Sequence, residues 1–179
     1  MDLGLHGKVA MVAASSKGLG YGVARELAKE GALVSIGART EADVFDAAEV
    51  LVEETGAEIL PNVLDAADPD SITRWVENTI DAFGGVDKLV VNAGGPPAGK
   101  FDDFADSDWQ AAFDLTLMSS VRMIRAALPC MREAGGGSIL AITSVSVKEP
   151  IDFLLLSNVM RSGVTSLAKS LSKPVSYTH

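Results

Sequence analysis

The sequence predicts an α/β fold built on a doubly wound parallel sheet. Five short apolar runs alternate with longer amphipathic segments, which is the pattern of βαβ units. Glycine, proline or a capping residue punctuates each switch. Right-handed crossovers between such strands place helices on both faces of the sheet wherever the winding reverses. A sheet of this kind binds ligands at the carboxyl ends of its strands, near the switch point.

Residues 9–14 form the first apolar run and read as a buried strand. A helix follows over about 18–30, with Leu19, Val23 and Leu27 four residues apart as its stripe and Gly31 as its C-terminal cap. Residues 33–37 make the second strand and 41–55 the second helix, with Val44, Ala48, Leu51 and Val52 on one face and Gly56 past its end. The third strand is 59–63. Asp68-Pro69 opens the third helix with a capping carboxylate and a proline at the first helical position, and Ile72, Val76 and Ile80 form its stripe.

The fourth strand, 88–91, runs into Asn92-Ala93-Gly94-Gly95-Pro96-Pro97, a loop that no helix or strand enters. After a short irregular piece at 101–104, Ser107-Asp108-Trp109-Gln110 has the form of a capping box and starts a long helix reaching about Glu133. Phe113, Leu117, Val121, Ile124 and Leu128 supply its stripe, and Pro129 is expected to kink its last turn. Residues 138–143 form the fifth strand, and a last helix begins at Ser157 with Met160, Val164, Leu167 and Leu171 at helical spacing.

At 179 residues the chain is one domain's worth, assigned to 1–173, and it shows no internal repeat. Residues 174–179 break the helical period at Pro174 and read as a non-native tail, whose Tyr177 is not a catalytic tyrosine. A net charge of −9 with no basic patch argues against nucleic acid as a partner. The single cysteine, Cys130, has no His/Cys cluster around it; it reads as a buried small hydrophobe rather than a metal ligand. No secretory leader opens the chain and no run reaches transmembrane length, so a cytoplasmic protein without a membrane partner is expected.

Between the first strand and the first helix lies Ala13-Ala14-Ser15-Ser16-Lys17-Gly18-Leu19-Gly20. A turn there brings backbone N–H groups and a helix N-terminus against a pyrophosphate, with glycines permitting the close approach. Tight helix–strand packing is the bland reading of two glycines. Their place after a first strand favours a dinucleotide site made by Ala14, Ser16, Lys17, Gly18, Leu19 and Gly20, as in a Rossmann fold. Arg39 closes the second strand where an NAD enzyme carries an acid for the ribose 2′-hydroxyl. A guanidinium instead binds a 2′-phosphate, and Lys17 is placed to reach the same group, so NADP(H) is expected in preference to NAD(H).

These motifs, with Ser144 and the stretch Ser157-Asn158-Val159-Met160-Arg161, resemble the short-chain dehydrogenases/reductases, and among them the 3-oxoacyl-carrier-protein reductases. The resemblance runs from Leu5 to Lys173. The family's Thr-Gly-x-x-x-Gly-x-Gly keeps its last two glycines as Gly18 and Gly20, with Ala13 and Ala14 at its first two positions. Asp65 corresponds to an aspartate that contacts the adenine amino group, with a helix-approach acid as the plainer reading. Asn92-Ala93-Gly94 matches the Asn-Ala-Gly that lines the adenosine side of the cleft.

The family's active site is a serine followed thirteen residues on by Tyr-x-x-x-Lys, with an asparagine on the long helix that anchors a relay water. Carried over by position, this chain offers Ser144 for the serine, Ser157 for the tyrosine, Arg161 for the lysine and Thr116 for the asparagine. Arg161 would then also hold the cofactor's ribose. A serine hydroxyl is a far weaker acid than a phenol with its pKa near 10, and arginine stays protonated. Ser157 reads equally as a helix N-cap, and a surface cation is the alternative for Arg161.

The resemblance thus implies an NADP(H)-dependent oxidoreductase acting on a small carbonyl or hydroxyl substrate with an atypical proton relay. The alternative is a catalytically impaired NADP(H)-binding protein that senses the cofactor or serves as an oligomer partner. It further implies a homodimer or homotetramer paired through the long helix and the Ser157 helix, and a sequence that stops after the sixth major helix, before the substrate loop.

Overall fold

The computed structural model describes residues 2–172, and the expected tail at 174–179 lies outside them. Five parallel strands, β1 (Val9–Ala13), β2 (Leu33–Ala38), β3 (Ile59–Val63), β4 (Lys88–Val91) and β5 (Ser138–Ala141), form one sheet in the order β3-β2-β1-β4-β5. The chain winds outward from β1 through β2 to β3, then returns to the other side of β1 with β4. The winding therefore reverses between β1 and β4, as the doubly wound expectation requires. β1 is completely covered, every residue from Val9 to Ala13 being buried.

Among the described residues six α-helices accompany the sheet: α1 (Gly18–Lys29), α2 (Glu41–Thr55), α3 (Pro69–Phe83), α4 (Asp106–Ala112), α5 (Ser119–Glu133) and α6 (Leu155–Leu171), of which α4 packs against α6 rather than on a strand. One core joins Ala10, Val12, Val34 and Ile36 to α1 and α2. The opposite core joins Met11, Leu89 and Val91 to α3 and α5. Trp75 is buried there, with its indole N–H donating to Ser35 Oγ at 3.0 Å; the Thr79 hydroxyl also donates to Ser35 at 2.7 Å. Burial of that indole is thus matched by a hydrogen bond.

Capping follows the sequence in α3, where Asp68 Oδ1 accepts from the Asp70 N–H, and in α2, which ends at Gly56 with φ of 68°. It departs from the sequence in α4. The cap there is Ala105, whose N–H donates to Asp108 Oδ2 at 2.8 Å, so the helix starts before Ser107 and Gln110 turns instead to Asp114 at 2.7 Å. Between α4 and α5 the chain makes a π-helical turn at Phe113–Met118. This wider turn shifts the phase of α5, and its buried face becomes Met123, Ile124, Ala127 and Met131 rather than the expected series through Val121 and Leu128.

Two further stripes are corrected. In α1 the buried face is Gly20, Ala24 and Ala28, and Leu19 is 73% exposed, because small residues let this helix lie close on β1. In α2 Ala47 joins Val44, Ala48 and Leu51 inside, whereas Val52 is exposed. Cys130 is only partly buried. Cover on both faces also stops short of β5, where Ser138, Ile139 and Leu140 are exposed. No helix among the described residues is long and apolar enough to cross a membrane.

Candidate active site

The site is built at the carboxyl ends of the strands, around the reversal point. β1 ends at Ala13, and Ala14 turns the chain with φ of 49°, the one positive φ outside glycine among the described residues. An L-residue held there is strained by about 1–3 kcal/mol, and such strain persists only where the surroundings fix it. Four contacts do so. Ser15 Oγ donates to the Val12 carbonyl at 2.6 Å and accepts from the Gly37 N–H at 3.1 Å, while the Ser15 N–H donates to the Gly37 carbonyl at 3.1 Å. From the other side, Asn92 Nδ2 donates to the Ala14 carbonyl at 3.3 Å. A Cβ at Gly20 would collide with the carbonyl oxygen of Ala14, so only glycine lets α1 begin this close to the turn.

A cleft of about 360 Å³ opens beside this turn. That volume lies within the range of small-molecule sites, roughly 300–1,000 Å³. Ala14, Ser16 and Lys17 line one side, Arg39 the end of β2, and Asn92, Ala93 and Gly94 the end of β4. Lys17 and Arg39 are both exposed, and neither makes an ion pair among the described residues. The cleft thus offers two uncommitted cations next to the amino end of α1, a setting that favours an anion.

Of the expected cofactor positions, Gly18, Leu19, Gly20, Asp65 and Arg161 do not line the cleft. Leu19 is exposed but does not line the cleft, so only its backbone, with those of Gly18 and Gly20, serves the turn. Asp65 is exposed, and its carboxylate accepts from the Ala67 N–H at 2.9 Å, holding the bend between β3 and α3; its neighbours Leu64 and Ala66 line the cleft instead. Thr40, Asp43, Gly95 and Leu115 also line it and escaped the sequence reading. For Thr40 and Asp43 a signal existed: both lie within one turn of Arg39 at the amino end of α2.

Ser144, Ser157, Arg161 and Thr116 do not line this cleft; Arg161 borders it through the carbonyl of Ala93, and Thr116 follows Leu115, which lines it. Ser144 follows β5, and its Oγ accepts from the Ser146 N–H at 3.1 Å. Ser157 is buried in the first turn of α6, which begins at Leu155 with Leu154 in the cap position. The N-cap reading of Ser157 is therefore corrected: its Oγ accepts from Arg161 Nε at 3.2 Å, one turn on.

Arg161 is no surface cation. Its Nη1 donates to the carbonyls of Ile142 at 3.1 Å and Thr143 at 3.4 Å, and Nη2 to that of Ala93 at 3.5 Å. Burial draws its pKa below the usual guanidinium value, yet arginine remains charged. Thr116 lies buried in the π-helical turn, and its Oγ1 finds no partner among the described residues. Arg122 braces that turn, reaching Asp114 Oδ1 at 2.9 Å and the Ala67 carbonyl at 3.0 Å.

Comparison with known proteins agrees with the fold. A family model described as short chain dehydrogenase matches residues 8–179. The chain is 32% identical over 169 residues to dehydrogenase/reductase SDR family member 4 of Oryctolagus cuniculus, covering 94% of this chain and 65% of that protein. Among solved structures it resembles L-sorbose reductase from Gluconobacter frateurii complexed with NADPH and L-sorbose, with a TM-score of 0.92 and 36% identity over 96% of this chain and 65% of the other. It also resembles the F189W actinorhodin polyketide ketoreductase with NADPH, with a TM-score of 0.87 and 30% identity over 92% of this chain and 63% of that one. The chain thus spans slightly less than two thirds of the length of these relatives.

Proposed function

The chain belongs to the short chain dehydrogenase family, and from that membership we propose that it is an NADP(H)-dependent oxidoreductase acting on a carbonyl or hydroxyl substrate. The observation that carries the cofactor choice is the pair of cations, Lys17 and Arg39, lining one cleft without carboxylate partners among the described residues. A 2′-phosphate satisfies both, and the guanidinium does so through two charge-assisted hydrogen bonds. Backbone N–H groups from Gly18 to Gly20 receive the pyrophosphate at the amino end of α1. Asn92, Ala93 and Gly94 line the adenosine side, with Leu64 and Ala66 rather than Asp65 on the cleft wall after β3.

When bound, the reduced nicotinamide supplies a hydride equivalent to the carbonyl carbon. The residues of this chain handle the oxygen. Ser144 orients it, and the Ser157 hydroxyl gives it a proton and regains one from water. Thr116 Oγ1, buried and without a partner among the described residues, suits the anchor of such a water. A serine is a weak acid, so this relay forgoes about 10²–10⁴ in rate relative to a tuned general acid.

A second reading is favoured by one observation: among the described residues the Ser144 and Ser157 hydroxyls are bonded to the Ser146 N–H and to Arg161, and neither partner exchanges a proton readily near neutrality. On that reading the protein binds NADP(H) as a sensor or oligomer partner without turnover. NADPH oxidation against a panel of ketones and quinones separates the two, run beside a Ser157→Tyr/Arg161→Lys variant. Turnover by the natural chain supports the oxidoreductase. NADPH binding without turnover, together with activity gained by the double variant, supports the second reading.

A further inference from the structure

The guanidinium of Arg161 is the most heavily committed polar group in the site. An arginine has five N–H donors in a planar fork. Its nitrogens make four hydrogen bonds here: Nε to Ser157 Oγ, Nη1 to the carbonyls of Ile142 and Thr143 just past β5, and Nη2 to the carbonyl of Ala93 just past β4. These acceptors lie on three separate segments that converge at the carboxyl edge of the sheet. All three nitrogens of the fork are thus already engaged by protein acceptors.

The same hydrogen bonds fix Ser157. Its Oγ accepts from Arg161 Nε, and its own O–H has no acceptor among the described residues. A hydroxyl carries one donor and two acceptor lone pairs, so accepting from a fixed cation leaves the donor for an incoming oxygen. Ser144 is arranged likewise, since its Oγ accepts from the Ser146 N–H and leaves its O–H available.

We propose that Arg161 is the positioning residue of this site: its guanidinium joins the ends of β4 and β5 and presents Ser157 as a hydrogen-bond donor, and it does not hold the dinucleotide. The catalytic part of this statement rests on the carbonyl-reducing reading above; the structural part does not. Lysine is no substitute, because a single ammonium at the end of a flexible stem does not span carbonyls on two strands and a hydroxyl at once. This departs from the expectation that Arg161 grips the cofactor's ribose.

The test uses the full chain, with Arg161→Lys, Arg161→Met, Ser157→Ala and the Ser157→Ala/Arg161→Lys double variant. NADPH affinity is read by fluorescence titration, independently of turnover, together with the melting temperature. The expected result is that Arg161→Met melts earlier yet keeps its NADPH Kd within about threefold of the parent. A Kd raised about tenfold or more in Arg161→Met, with Arg161→Lys restoring it, overturns the proposal. Should Arg161→Met fail to fold, Arg161→Lys decides through kcat. The proposal expects kcat to fall about tenfold or more with Kd unchanged, and the double variant to be no worse than Ser157→Ala alone. Full activity in Arg161→Lys, or losses that add, contradicts it. If the parent turns over nothing, the oxidoreductase reading fails, and the affinity and melting of Arg161→Met still decide what Arg161 does.

Discussion

The side-chain amide of Asn92 donates to the main-chain carbonyl of Ala14 across 3.3 Å, tying the end of β4 to the turn that follows β1. This is the reversal point of the sheet, and the bond crosses the floor of the cleft. Replacing Asn92 with alanine removes one hydrogen bond from a partly buried carbonyl. We expect a loss of about 1 kcal/mol and a melting temperature lower by about 2–4 °C, read by calorimetry, together with weaker NADPH binding.

Ala14 is strained, and glycine would relieve it. Ala14→Gly removes a left-handed penalty of about 1–2 kcal/mol and restores about 0.4–1 kcal/mol of unfolded-state entropy. The net expectation is a melting point raised by a few degrees, about 1–3 °C in a chain of this size. A fall in melting temperature would show that the turn is not held at positive φ.

Gly20→Ala works in the opposite direction. The added methyl meets the backbone oxygen of Ala14, which has no flexible end to yield, so α1 must shift away from the turn. Overpacking of this kind costs about 1–3 kcal/mol. Thermal melting should show that loss, and NADPH titration should show binding abolished or weakened by about tenfold or more, since the helix N-terminus leaves the pyrophosphate position.

Stability at low pH depends on Asp87 at the opposite end of the sheet. Burial raises its pKa, but the Val9 N–H at 2.9 Å and the Lys8 ammonium at 3.1 Å outweigh that and hold it below the usual carboxylate value. A carboxylate with a depressed folded pKa contributes stability above its unfolded pKa, about 3.9, and loses it as pH falls through the folded value. Asp87→Asn should therefore melt lower than the parent at pH 7, with the gap closing below about pH 4. A gap that is constant with pH contradicts this account.

Most of the fold was legible because the buried strands are short apolar runs, and because α1, α2 and α3 stop at Gly31, Gly56 and Gly84. The second helix, expected at 41–55, is found at Glu41–Thr55, and the Asp68-Pro69 start of α3 stands. The face of α5 was not legible, since a π-helical turn adds a residue to the period and nothing in Phe113–Met118 announces it. Leu19 was misread because spacing alone does not distinguish a large exposed residue from the small ones, Gly20 and Ala24, that seat the helix.

The site divides in the same way. Lys17, Arg39, Asn92, Ala93 and Gly94 were found because their positions follow from the strand ends, and all of them line the cleft. Ser15, which pins the turn to β2, and the three carbonyls that hold Arg161 were not foreseen. Main-chain oxygens carry no residue identity, so contacts to them across 68 residues of sequence leave no trace in it.

The account rests on a cleft whose two cations select a phosphorylated dinucleotide. Fluorescence titration of the full chain with NADPH and NADH, repeated on Arg39→Asp, tests this most directly. NADPH should bind the parent about tenfold or more tighter than NADH, and Arg39→Asp should reverse the order by placing a carboxylate at the 2′ position. Equal or tighter binding of NADH by the parent, or an unchanged preference in Arg39→Asp, would contradict it.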